Sequence, residues 1–376
     1  MKSDKTTPNV PTLRFPNYNG EWQKTVMGKV CSFRKGYGIA KDDLSSDGTP
    51  CILYGELYTT YKTAIAKTIK SKTSIQSKSL VYSQKDDVII PCSGETAEDI
   101  ATSICVPYDG VLLGGDLTIV HSDLDGAFLS NQINSVRKYD IARIAQGKSI
   151  VHLQADELKK IFIFYPSIQE QRKISAFIDK IDERIEIQNK IISNYETLIK
   201  GLCDMIFRHN KSVSLSDLVK CKTSALQENT VSTCHRGEYK VLGASGAIAA
   251  IDTYQFEESG ILVLKDGSKA GKIQFAQGKY SVVGTSVVLI PNEACDARYL
   301  YFAMSSIDFE KYKVGSGIPH IYFKDYSNER IYYPEKALRK KIIKTLDFYE
   351  TRVEIEREML SAMQKQKAFL LQSMFI

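Results

Sequence analysis

The chain contains no Pro-Pro dipeptide, no Cys-x-x-Cys pair and no apolar run of 18 residues. The last absence excludes an ordinary membrane-spanning helix. Eight cysteines scattered without pairing suggest neither a zinc site nor a disulfide framework, and free thiols in a reducing cytoplasm are the simplest reading. The opening "MKSDKTTPNVPTL" is polar and lacks the apolar stretch of a signal peptide, so a cytoplasmic location is expected. Five histidines stand isolated, with no metal-ligand spacing. Without Pro-Pro there is no (N/D)-P-P-(Y/F) loop for methylating DNA. "GSKAGKI" at 267–273 is one residue short of a P-loop and lacks the Ser/Thr after its lysine, so it reads as a turn. "EYK" at 238–240 is half of a nuclease motif with no Pro-Asp before it. No catalytic constellation and no cofactor or metal site emerges.

Acid is also scarce in two places. Overall composition is that of a globular protein, with 25% charged and 43% hydrophobic residues and a net charge of +6. Yet no acid falls between Glu56 and Asp86, where six lysines stand, among them Lys62, Lys67, Lys70 and Lys72, beside Tyr58 and Tyr61. From Ser259 to Asn292 four lysines, Lys265, Lys269, Lys272 and Lys279, face the single Asp266. Such runs suit a polyanion, or are a solvated lysine face.

What is present is a repeat. "YPSIQEQRKISAFIDKID" from Tyr165 returns as "YPEKALRKKIIKTLDFYE" from Tyr333, and 11 of the 43 pairs at an offset of 168 are identical. The offset also matches Gly147 with Gly315 and His152 with His320. Within each copy apolar residues follow a 4-3 alternation: Ile174, Ile178, Ile181, Ile185, Gln188, Ile192, Tyr195, Ile199, Leu202 and Ile206, then Ile342, Leu346, Tyr349, Val353, Glu356, Leu360, Met363, Lys367, Leu370 and Met374. Held over more than four heptads, this predicts a coiled-coil seam on two long helices. Pro166 and Ser167-x-x-Glu170 mark the start of the first, while Glu335 replaces the serine in the second. The helices pair with each other or pack on their neighbouring domains, and the matched seams favour pairing. A 40-residue helix runs about 60 Å. The intervening domain of about 120 residues is only about 35 Å wide. Entering and leaving such a domain at one place requires the helices to be antiparallel, in a pseudo-two-fold arrangement.

Four segments are therefore expected: an N-terminal domain at 1–164, a helix at 165–211, a second domain at 212–332 and a helix at 333–376. Short β-rich runs, a helical stretch and a Gly-rich turn recur in both domains, so the fold class is α+β, with two diverged mixed α/β heads. The turns at Gly147–Ser149 and Gly315–Gly317 approach a partner's backbone or are plain turns.

"YPSIQEQRKISAFIDKIDERIEIQNKIISNYETLIKGLCDMIF" resembles the central conserved region of type I restriction-modification specificity (S) subunits, and "LRFPNYNGEWQKTVMGKV", "SGETAEDIA" and "KDGSKAGKI" resemble parts of their target-recognition domains. The second copy departs, with "EKALRKKI" where "EQ-x-K-I" is usual. The resemblance implies a DNA-binding specificity subunit without catalysis of its own. Each domain would read half of a bipartite site, and the helices would act as spacer and as dock for methyltransferase (M) subunits, with a restriction (R) subunit joining for cleavage. S-adenosylmethionine, ATP and magnesium would belong to those partners. The residues expected at duplex DNA are Tyr58, Tyr61, Lys62, Lys67, Lys70, Lys72, Lys148 and Ser149 in the first domain, and Arg236, Lys265, Ser268, Lys269 and Ser316 in the second. A type IIB-like or methylation-only system is a near alternative. A two-headed interaction rod that binds no DNA is the opposing class, against which the acid-free lysine runs argue.

Overall fold

The computed structural model describes residues 8–77, 79–147, 150–208, 212–231, 236–293, 296–315 and 317–376. The chain forms two compact units, Met1–Asn189 with Met359–Ile376, and Lys190–Glu358.

The first unit is built on an antiparallel sheet of Cys31–Lys35, Leu117–Ser122, Asp87–Pro91 and Ile104–Val106, in that order. Its two central strands are almost continuously apolar because both faces are covered. Val88, Ile90 and Val120 pack under the helix Gly126–Asn134, with Leu129 and Ile133. Ile89 and Ile119, directly opposite one another, face the other way onto Ile52 and Leu113 of a second small sheet. Asp125 starts the helix by accepting a 2.8 Å hydrogen bond from the Phe128 amide, the local reason that it begins there.

The second unit repeats the plan. Its sheet is Val219–Thr223, Ser286–Pro291, Gly260–Leu264 and Ile273–Ala276. As in the first unit, the earliest strand pairs with the last, which pairs with the second, which pairs with the third. Helix Ala297–Met304 covers Ile261, Val263 and Leu289 on one face. Leu262, Val288 and Ile290 pack on the other, with Val282 from a three-stranded sheet of Gly246–Ile251, Tyr239–Gly243 and Tyr280–Val282. Both units thus have the mixed α+β character that the sequence suggested.

The long helices are Ile168–Phe207 and Lys336–Met374. Every one of the twenty stripe positions is buried or half-buried. In the first unit Ile174 and Ile178 pack with Leu370 and Met374, and Lys367 Nζ lies 2.5 Å from Asp182. In the second, Tyr195 and Tyr349 have ring centroids 6.4 Å apart, Arg357 pairs with Glu196 at 2.5 Å, and Ile199 and Leu202 pack with Ile342 and Leu346. From Ile174 and Ile178 to Asp182 the partners fall from Met374 and Leu370 to Lys367, and from Glu196 to Ile199 and Leu202 they fall from Arg357 to Leu346 and Ile342, so the segments pair antiparallel within each unit. Packing on the heads occurs as well. Ile174 and Ile178 share a cluster with Trp22, Phe128 and Phe164, while Phe207 meets Tyr299 edge-on at 5.7 Å. Because helix ends belong to head cores, the compact units divide the helices near their middles. The segments expected from sequence end instead at 164/165 and 332/333.

A matched clamp joins each helix start to its head. Gln171 donates to the Pro166 carbonyl at 2.8 Å and accepts from the Asp125 amide at 2.9 Å. At the offset of 168 stands Arg339, which donates to the Pro334 carbonyl at 2.7 Å and holds Asp296 through Nε at 2.9 Å and Nη2 at 3.2 Å. Asp296 precedes its helix as Asp125 does, but its carboxylate makes no capping bond because arginine and Tyr333 occupy it. The departure at "EKALRKKI" therefore leaves the clamp in place with an ion pair where the first copy has neutral bonds. Glu170, expected in a capping box, gives both carboxylate oxygens to Arg14 at 2.7 and 2.8 Å.

Candidate nucleic-acid interface

In the first unit the lysine–tyrosine run is folded by one buried-side acid. Glu56 accepts from the Leu53 amide at 2.8 Å and from Ser71 Oγ at 2.7 Å, tying the turn at 56–59 to the strand Ser71–Thr73. Tyr61 is half-buried, and its hydroxyl accepts from the Lys70 amide at 3.4 Å. Burial pushes its pKa up to about 12 and raises that of Tyr58 as well, so both stay neutral phenols. Lys62, Lys70 and Lys72 are exposed. Lys67 differs: its ammonium lies 2.5 Å from Asp179 and 2.9 Å from Glu183 on the first long helix, and Tyr108 donates to its carbonyl at 2.6 Å. With Lys180 and Lys67 both bonded to it, Glu183 is held down to about 2. A cleft of about 550 Å³ separates this run from the helix, with Tyr61, Lys62, Lys67 and Lys70 on one wall and Asp182, Glu183 and Asn189 on the other. Three of the run's four candidate lysines are exposed, Lys62 and Lys70 at the cleft wall, and the fourth straps the run to the helix.

In the second unit Lys265, Ser268 and Lys269 lie on one turn that is bonded to the Gly-rich hairpin. Ile321 donates to the Lys265 carbonyl at 2.9 Å, Gly267 to the Pro319 carbonyl at 3.0 Å, and His320 Nδ1 lies 2.7 Å from Asp266. Lys272 reaches the Ala244 carbonyl at 3.3 Å, adding the tip of the hairpin 239–251 to the same place. Ser268 and Lys269 are exposed. Gly267 and Gly271 both have φ of +90°, which is why glycine recurs in "DGSKAGK". Arg236 sits at the opposite end of that hairpin and is not brought to this cluster. Lys148, Ser149 and Ser316 lie outside the described residues.

Sequence reasoning missed two charged groupings. Asp87, fully buried, is held by Arg34 at 2.6 Å and His121 at 2.8 Å across the first sheet. Lys279 sits 4.7 Å over Tyr254 and 5.8 Å over Tyr239, whose rings are 5.0 Å apart. Both tyrosines precede the second lysine run in the sequence, so the run itself gave no sign of this grouping. Burial raises the pKa of all six described cysteine thiols, to about 11 at Cys31 and Cys51, which keeps them protonated. Among the described residues no group of three or more His, Cys, Asp or Glu side chains could hold a metal ion.

A family model described as "Type I restriction modification DNA specificity domain" matches residues 19–196 and again 208–364. The chain belongs to this family. Of curated relatives, the type I restriction enzyme MjaVIII specificity subunit of Methanocaldococcus jannaschii is 27% identical over 122 residues, 31% of this chain. That match spans 28% of the relative's length. Among solved structures, the type I restriction-modification S subunit from M. genitalium matches with a TM-score of 0.65 at 16% identity, covering 98% of this chain and 99% of that one. A structure described under complex assembly and conformational transition of the type I R-M system matches with a TM-score of 0.56 at 15% identity, over 93% and 96% of the two chains. At these identities the structures attest the specificity-subunit fold. Each of the two domain matches covers one α/β head and much of the long helix that follows it.

Proposed function

We propose that the chain is the sequence-reading subunit of a type I restriction-modification complex, binding duplex DNA with both heads while partner subunits carry out the chemistry. The observation that carries this reading is the family domain found twice in one chain, each copy an α/β head with its own outward basic turn. Each head reads one part of a bipartite site. The paired helices fix the length of the unread spacer and present the surface on which methyltransferase subunits dock; a restriction subunit joins them. S-adenosylmethionine, ATP and magnesium act on those partners, and the chain works in the cytoplasm.

Within this reading Lys62, Lys70 and Lys72 in one head and Lys265 and Lys269 in the other meet phosphates, while Ser268 and Tyr58 reach base edges. Lys67 keeps the run oriented through its bonds to Asp179 and Glu183. The test is a gel shift with duplex DNA over a salt series, with methyl transfer measured in parallel. The chain with its methyltransferase partner should bind in a salt-dependent way and methylate; the purified chain alone should transfer no methyl group from S-adenosylmethionine. Methylation by the isolated chain, or binding indifferent to salt, would overturn the reading.

A further inference from the structure

The two Gly-rich turns are one hairpin built twice. In the first unit Gln146 and His152 exchange backbone hydrogen bonds of 2.9 and 2.8 Å; in the second Val314 and His320 do so at 2.9 and 2.8 Å. In each, the residue after the first partner is a glycine with positive φ, +137° at Gly147 and +98° at Gly315. A Cβ on Gly147 would lie 2.0 Å from the Ile150 carbonyl oxygen, and one on Gly315 would lie 2.8 Å from that of Ile318. The chain folds back over the glycine in both, and the residue that folds back is an isoleucine in both.

Those isoleucines point into solvent. Ile150 is 58% exposed and Ile318 63% exposed. A single exposed apolar side chain is ordinary. Here the same side chain is exposed at the same place in two heads whose surrounding turns have diverged from "SGETAEDI" to "DGSKAGKI". The apolar feature the heads share is one side chain wide. Gly317 and Pro319 flank Ile318, and Val314 at the base of its hairpin is Gln146 in the other. A protein-docking tooth sits within a broader apolar surface. The turn bonded to the second hairpin carries Lys265 and Lys269, charges that suit a polyanion.

We infer that Ile150 and Ile318 are wedges, one per head, that insert between stacked base pairs of the DNA. The inference rests on the reading that the chain binds duplex DNA. An apolar side chain entering between base steps partly unstacks them and bends the duplex. Because both heads carry the same wedge, it does not tell one half-site from the other by hydrogen bonding. It favours steps that unstack at low cost, such as pyrimidine–purine steps. Each head would therefore combine its own contacts with a shared demand on DNA deformability.

The test uses the full chain assembled with its methyltransferase partner, on a duplex carrying the site mapped from methylated bases in the source genome. 2-Aminopurine is placed at successive steps of both halves, and its fluorescence rises on unstacking. The wild-type complex should brighten one step in each half. Ile150→Ser should abolish the rise in one half only and Ile318→Ser in the other only. Affinity should fall about 10- to 100-fold, as expected for withdrawing an isoleucine side chain from an apolar slot. Ile150→Leu and Ile318→Leu should keep both signals. Serine variants that bind with wild-type affinity, or a wild-type complex that binds with no step brightened, would overturn the inference and leave the DNA-binding reading intact. Serine variants that bind DNA normally but lose the methyltransferase partner would also overturn it, by making the hairpin a protein contact. A wild-type complex that does not bind duplex DNA at all would sink the proposed function itself. Should a serine variant fail to fold, the aminopurine scan of the wild type and the leucine variants still decides.

Discussion

Replacing Arg339 by alanine should be among the most damaging single changes in the second unit. The guanidinium is 7% exposed and its partner carboxylate on Asp296 4% exposed, with bonds of 2.9 and 3.2 Å between them. It also donates to the Pro334 carbonyl and stacks 4.0 Å over the Tyr333 ring. Truncation would leave a buried carboxylate with only the Tyr333 hydroxyl, a loss of about 3–5 kcal/mol. At about 1–3 kcal/mol per molar in urea, that moves the unfolding midpoint down by roughly 1–5 M. Circular dichroism would follow the midpoint, and hydrogen exchange in Ala297–Met304 would localise the loss. Arg357→Ala, which breaks the exposed pair with Glu196, is the matched control and should cost about 0–1 kcal/mol. Adding Asp296→Asn to Arg339→Ala removes the stranded charge, so the double variant should be more stable than Arg339→Ala alone. Arg339→Gln, which can remake the carbonyl bond that Gln171 makes, should fall between wild type and Arg339→Ala. A loss below about 1 kcal/mol for Arg339→Ala, or a double variant worse than the single, would refute the clamp.

Three further outcomes are expected. Lys70→Ala or Lys72→Ala should reduce the slope of log affinity against log salt by about 1, whereas Lys67→Ala should leave that slope unchanged and loosen the 60–70 segment in hydrogen exchange; the opposite ranking would put Lys67 at the phosphates. Exchanging residues 212–332 for those of another family member should change one half of the methylated sequence, and a change in both halves would dismiss the division of labour. Removing one heptad from each long helix, Ile185–Ile191 and Glu358–Gln364, shortens each by about 10 Å, or about three base pairs at 3.4 Å each; methylation should leave the native site for a shorter spacer, and full activity at the original spacing would mean the helices are no ruler.

The sequence was legible where one physical rule dominates a segment. The 3.5-residue apolar repeat located both long helices to within a few residues, because only a continuous seam satisfies that spacing. The short β-rich runs of the first domain include its central strands, Asp87–Pro91 and Leu117–Ser122, where burial on both faces favours apolar residues over strict alternation. What pattern could not carry is pairing across long sequence separations. Lys67 reads as one more lysine in an acid-free run, yet its partners stand 112 and 116 residues later at Asp179 and Glu183. The capping-box pattern at Ser167-x-x-Glu170 likewise gave no hint that Arg14 would claim the glutamate. The departure at "EKALRKKI" says nothing of Arg339's partner either, because nothing local points to Asp296.

The closing of the first head by late residues sets an order of events during synthesis. Trp22, Phe128, Phe164, Ile174 and Ile178 share their apolar cluster with Leu370, Met374 and Phe375. The ribosome makes the latter about 190 residues after the former, a delay of about 10–40 s at ordinary elongation rates. Through that interval the nascent first head holds an uncovered aromatic surface. The second head needs no such wait, since its cluster of Phe207, Tyr299, Ile342 and Leu346 is complete by mid-helix. The head that is translated first is thus finished last.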